Sequence, residues 1–156
     1  MKRNVFTLWQ CFCLFLFDYL MLVMTNLYIP RTTKTPDIFF DLEMGNFEIK
    51  GRSIPENSVD FYSQVMQWLD EYEKAPNETT LLSVKLEYFN TSSSKCLIDI
   101  FRRLEKLHDQ STQVEVHWYF ETEDDDMKES GEDFRDLVKM PVILHEISNN
   151  ISEQMS

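Results

Sequence analysis

Four consecutive hydroxyl residues, Thr91-Ser92-Ser93-Ser94, lie between Asn90 and Lys95. A hydroxyl can cap a helix by accepting from its first amides, or it can accept a phosphoryl group. Both uses need the same setting. The first turn of a helix carries amide N–H groups with no intrahelical partner, and its dipole favours negative charge. The flanking residues supply that setting. Leu82, Val84, Leu86 and Tyr88 alternate with Ser83, Lys85 and Glu87, the period of a strand with one buried face. From Cys96 onward Leu97, Ile100, Phe101, Leu104 and Leu107 recur at helical spacing. The hydroxyls therefore occupy a strand-to-helix turn. Capping by one of Thr91, Ser92 or Ser93 is expected there, and modification is the functional alternative.

The other reactive residue types are dispersed. His108 ends a helical pattern, where a cation suits the dipole. His117 falls on the polar face of a strand, and His145 lies near the end of the chain. No two of the three have metal-ligand spacing. The run Glu121-Thr122-Glu123-Asp124-Asp125-Asp126 lacks the spacing and glycine of a calcium loop and reads as a solvated helix start. Cys96, in the first turn after Lys95, is placed where a helix start lowers a thiol pKa. It has no His or Asn in a nucleophile arrangement. There is no glycine-rich phosphate loop among the three glycines, Gly45, Gly51 and Gly131. The residues describe a small binding module with no cofactor and no catalytic set. A small enzyme using the acidic stretch or Cys96 is the rival reading.

The remaining elements must position the hydroxyl turn. Ile38, Phe40 and Leu42 alternate with polar and outward positions, as do Phe47 and Ile49, and Gly45 lies between the two runs. That pattern predicts a β-hairpin. Tyr28 to Pro36 reads as an extended lead-in. Asn57 or Ser58 opens a helix with an apolar face of Phe61, Val65, Trp68, Leu69 and Tyr72, stopped at Ala75-Pro76-Asn77. A strand over 79–89 and a helix over 94–108 flank the hydroxyls. Val114, Val116, Trp118 and Phe120 mark another strand, with Trp118 and Tyr88 both expected to face inward. An acidic helix over 124–139 follows, interrupted by Gly131. Met140 to Leu144 forms a short last strand, with Pro141 suited to an edge. The order is ββαβαβαβ. It predicts a single small α/β domain with a four- to five-stranded mixed sheet and helices on one face. The unit from Thr79 to Phe120 should make a right-handed parallel crossover.

The chain has 156 residues and a net charge of −12, so a nucleic-acid binder with Lys/Arg stripes is excluded. Residues 1–23 differ from the rest. Val5 to Val23 is an apolar run of membrane-span length behind Lys2 and Arg3, interrupted by Asp18. It reads as an upstream mis-start of the frame, with translation beginning at Met24, or as an anchor to the inner membrane. Cys11 and Cys13 fall within it, which leaves Cys96 alone in the domain and points to a reduced, cytoplasmic setting. The domain spans residues 24–147, and residues 148–156 form a polar tail.

Several blocks of the chain together resemble the SiaC family of regulatory phosphoproteins. They are Thr35-Pro36, the run from Gly51 to Ser58, the run from Leu86 to Lys95, Trp118-Tyr119, Asp124-Asp125-Asp126-Met127 and Gly131-Glu132-Asp133-Phe134. The family is similar to anti-sigma-factor antagonists of the SpoIIAA type, with a STAS-like fold. The resemblance implies that Thr91 is the phosphorylated residue. It implies a SiaB-like protein kinase that adds the phosphate, a PPM-type phosphatase that removes it, and a diguanylate cyclase bound by the unmodified form. The SpoIIAA-type proteins carry an acidic residue beside the phosphosite, where this chain has Asn90. The expected docking surface is Asn90, Thr91, Ser92, Ser93, Ser94 and Lys95.

Overall fold

The computed structural model describes residues 24–110 and 112–148. The hydrophobic segment 1–23 lies outside the described residues, as does all but the first residue of the tail. Six strands form one sheet in the order β1 to β6. They are β1 (Leu27–Ile29), β2 (Asp37–Asp41), β3 (Asn46–Ser53), β4 (Thr79–Phe89), β5 (Gln113–Glu121) and β6 (Val142–Ile147). The first three strands run antiparallel, and β3 to β6 run parallel. Three helices make the crossovers: α1 (Ser58–Tyr72), α2 (Thr91–Gln110) and α3 (Asp125–Leu137). Among the described residues no helix is long and apolar enough to cross a membrane.

The sheet has one strand more than the sequence pattern predicts. The extra strand is β1, hidden in the lead-in. Three residues are too few to show alternation, and its pairing, Leu27 opposite Phe40 and Ile29 opposite Ile38, is set by the neighbour. The hairpin between β2 and β3 is as expected, with Gly45 at φ +67° in the turn. A Cβ there would come 2.4 Å from the Thr79 carbonyl oxygen, so glycine is required twice over.

Inward residues of the strands and the helices meet in one core. Phe40, Phe47, Trp68 and Tyr72 pack ring against ring at the antiparallel end. Phe89, Phe101, Trp118 and Phe134 do the same at the parallel end. Trp118 is fully buried, as its strand position predicts, and its Nε1 donates to the Met127 carbonyl at 2.9 Å. Gly131 has a packing role in α3. A Cβ there would lie 2.5 Å from Trp118 Cδ1, so the indole rests directly on the helix backbone. On α1 the buried face is Ser58, Tyr62, Val65, Leu69 and Tyr72, while Phe61 and Trp68 are only half-buried at its margins.

Tyr88 departs from the expected pattern. It is 52% exposed, although the alternation of β4 places it inward. The cause is a bulge. Gly51 pairs with Leu86, but the next residue, Arg52, pairs with Tyr88, which leaves Glu87 as an extra residue. Gly51 takes φ +104°, open to glycine and strained for other residues. One inserted residue reverses the facing of everything after it. Tyr88 turns out beneath the Arg52 guanidinium, 5.9 Å away, and Phe89 turns in against Trp118. The bulge therefore sets how the chain enters the hydroxyl turn.

Candidate functional site

Helix α2 begins at Thr91 itself, three residues before the apolar period predicts. Its cap is Asn90. The Asn90 side-chain oxygen accepts from the Ser93 amide at 2.7 Å, and its carbonyl accepts from the Ser94 amide at 2.9 Å. This corrects the expectation that a hydroxyl does the capping. The Asn90 amide donates to the Ser53 carbonyl at 3.1 Å, which ties the cap to the end of β3. Relieved of capping, Thr91 and Ser92 are exposed at the first two helical positions.

Ser93 is different, and fully buried. Its Oγ donates to the Ser53 carbonyl at 3.0 Å and accepts from Ser53 Oγ at 2.8 Å. Each hydroxyl has one proton. Ser53 has spent its own on Ser93, so Tyr62 must be the donor in the 2.7 Å contact with Ser53 Oγ. Ser58 Oγ lies 3.3 Å from Ser93 Oγ and donates by the same logic. Burial raises the Tyr62 phenol above its ordinary pKa, with the Ser53 bond opposing, and so keeps it a donor. Four hydroxyls thus join the end of β3 to the starts of α1 and α2. Ser93 is buried too deeply to meet a partner. Of the other residues expected at the docking surface, Thr91, Ser92 and Lys95 are exposed, and Asn90 and Ser94 are half-buried. Lys95 lies one turn beyond Thr91, on the same side of the helix.

Two exposed apolar residues border this turn. Tyr88 precedes it by three residues, and Val59, 71% exposed, follows Ser58 at the start of α1. Sequence pattern missed both: Tyr88 through the bulge, Val59 because it adjoins a face it does not join. A groove of about 440 Å³ between α1 and α2 begins at Val59 and is lined by Tyr62, Met66, Cys96 and Arg102.

The remaining candidates have structural roles. Cys96 is buried, and burial, followed by the charge of Asp99, pushes its thiol pKa up. That reverses the lowering expected at a helix start, because the loss of hydration outweighs the dipole. Asp124 caps α3, accepting from the Met127 amide at 2.9 Å, with Asp125 and Asp126 in the first turn. Among the described residues no three His, Cys, Asp or Glu side chains converge as a metal-binding group. His108 Nδ1 accepts from the Val114 amide at 3.1 Å, which ties the end of α2 to β5. His117 and His145, which the sequence leaves scattered, lie 2.8 Å apart, Nδ1 to Nε2.

Comparison with known proteins matches residues 29–147 to the family described as SiaC family regulatory phosphoprotein. An uncharacterised protein of Pseudomonas aeruginosa strain UCBPP-PA14 is 33% identical over 118 residues, covering 76% of this chain and 94% of that protein. The solved structure of SiaC of Pseudomonas aeruginosa superposes with a TM-score of 0.73 at 31% identity. It covers 80% of this chain and all of that one. The crystal structure of the diguanylate cyclase SiaD in complex with its activator SiaC, also from Pseudomonas aeruginosa, matches at 32% identity and a TM-score of 0.72. That match covers 78% of this chain and 99% of the other.

Proposed function

The chain belongs to the SiaC family of regulatory phosphoproteins, and from that premise we propose that it is a non-enzymatic switch operated by phosphorylation of Thr91. The observation that carries this reading is the contrast within one helical turn. The Thr91 hydroxyl is exposed at the first residue of α2, and the Ser93 hydroxyl is sealed in the core. A kinase can reach the first without disturbing the fold and cannot reach the second.

In this proposal a SiaB-like kinase adds the phosphate and a PPM-type phosphatase removes it. The unmodified form docks on a diguanylate cyclase through Thr91, Ser92 and Lys95, with Tyr88 and Val59 as apolar neighbours. The match to a cyclase activator supports that partner class. A phosphate brings a charge of about −1.5 to −2 and three acceptor oxygens. The first-turn amides, the dipole and Lys95 hold it where it forms. A partner packed over Thr91 would then have to desolvate a dianion, a penalty of several kcal/mol, on the order of a hundredfold or more in affinity. The buried, protonated Cys96 thiol supports binding over nucleophilic catalysis. It also suits the reducing cytoplasm, where we place the domain.

The test uses a SiaB-like kinase and a diguanylate cyclase. Phosphopeptide mapping should place the phosphate on Thr91, and Thr91→Ala should abolish it. Cyclase binding should survive Thr91→Ala and fail for the phosphorylated protein. A main phosphate on Ser92, or equal binding of both forms, would overturn the switch.

A further inference from the structure

On the face of the sheet away from the helices, two histidines from adjacent strands meet. His117 stands on β5 and His145 on the edge strand β6, diagonal to one another, since His117 pairs with Ile143 and Tyr119 with His145. The Nδ1 of His117 and the Nε2 of His145 are 2.8 Å apart, and the ring planes are within 6° of parallel. The Tyr119 ring stacks on His145 at 4.8 Å. We propose that this pair is a proton-operated latch that fastens β6 to the sheet and releases it when both rings are protonated.

The bond between two imidazoles needs one proton between the facing nitrogens and one lone pair. Neutral rings satisfy that. So does a pair with one added proton, whichever ring carries it, because the other still offers its lone pair. The second added proton must take that lone pair. It removes the bond and leaves two cations with facing nitrogens about 3 Å apart, an arrangement that strongly opposes double ionisation. The pair therefore titrates in two macroscopic steps that belong to both residues.

The surroundings fit this assignment. Strand β5 contributes Glu115, whose Oε2 lies 3.5 Å from His117 Nε2. That Nε2 is shielded from solvent and has no hydrogen-bond partner of its own. From β4 come Ser83, the register partner of His117, and Lys85, whose ammonium lies 5.2 Å from the Tyr119 ring centre and 3.2 Å from Glu48 on β3. Asp41 on β2 and Glu48 line the same hollow as His117. The helices lie across the sheet from the pair. Burial, then the neighbouring His117, lowers the pKa of His145 below its ordinary value. The folded chain therefore binds fewer protons there than the unfolded chain. Its stability is full above the ordinary histidine value of about 6.5 and falls as the pH drops through the lower folded value.

Release acts on β6 because β6 is an edge strand, held in the sheet by β5 alone. The test is a side-chain NMR titration of the full-length protein from pH 8 to 4.5, with amide hydrogen exchange followed in parallel. The two rings should titrate in steps separated by about one unit or more. Exchange in β6, corrected for its intrinsic pH dependence, should quicken about tenfold across the lower step while β3 and β4 stay protected. His145→Phe keeps the ring on Tyr119 and removes the proton site, so the acid step in β6 exchange should vanish, and His117→Gln should remove it too. Overlapping single transitions for both rings, β6 exchange indifferent to pH, or an acid step that survives in both variants would overturn the latch.

Discussion

The starts of α2 and α3 are both helix N-termini at the C-terminal end of the same parallel sheet, and they are built in opposite ways. Helix α3 opens with Asp124 as its cap and Asp125 and Asp126 in the first turn. Helix α2 opens with a neutral Asn90 cap, three serines, one threonine and then Lys95, with no acidic residue in its first turn. In a chain with a net charge of −12, an acid-free helix start stands out. At α3 the positive end of the dipole already has its anions, and the end is structural. At α2 the same field has no anion of its own. An anion added there, as in the proposed switch, would meet that field unopposed.

The largest test of that contrast is at α3, where damage should unfold the protein and not alter signalling. Trp118→Ala removes the indole that rests on the Gly131 backbone and donates to the Met127 carbonyl. It should cost about 3–5 kcal/mol, seen as a lower urea midpoint in equilibrium unfolding. A Trp118→Ala protein of full stability that has lost only partner binding would make the α3 side functional and break the contrast.

The next test separates neighbours within the α2 turn. Ser93→Ala leaves the buried Ser53 and Ser58 hydroxyls short of an acceptor, at a cost of about 1–3 kcal/mol. Thr91→Ala touches no bond of the cap and should stay within about 0.5 kcal/mol of the wild type. The two variants, melted side by side, should therefore differ clearly. Equal losses would mean that Thr91 is as structural as Ser93.

How much of this could be read in advance follows from where the information lies along the chain. The turn at residues 90–95 was legible because the period changes from two to helical across it, a local signal. The orientation of Trp118 was legible for the same reason. Tyr88 was not, because its facing depends on a bulge set by Gly51 on the partner strand. The cap was misassigned because Asn90 and the hydroxyls are both good caps, and the choice rests on the Asn90 amide reaching the Ser53 carbonyl. The depth of Ser93 depends on Tyr62 and Ser58 from another helix. His117 and His145 are 28 residues apart and meet only through the register of β5 on β6. In each missed case the deciding contact is long-range.

The smallest effect is also the sharpest test of the empty helix start. Thr and Asp have similar intrinsic helix propensities, so Thr91→Asp changes mainly the charge at the first position of α2. The dipole and the nearby Lys95 should then stabilise the fold by about 0.3–1 kcal/mol at neutral pH and low salt. Asp125→Asn makes the reverse change at α3 and should lose a similar amount. Both differences should shrink in about 1 M salt, where the screening length falls to roughly 3 Å. Such a field lowers the pKa of the introduced carboxylate in the folded state. The gain is then present above the unfolded value of about 3.9 and is lost as the pH falls through the lower folded value. Thermal melts across salt and pH would show both trends. A Thr91→Asp protein that is less stable than the wild type at low salt would mean that the start of α2 does not welcome an anion. The phosphate could not then be held as proposed, and the contrast between the two helix ends would be one of composition only.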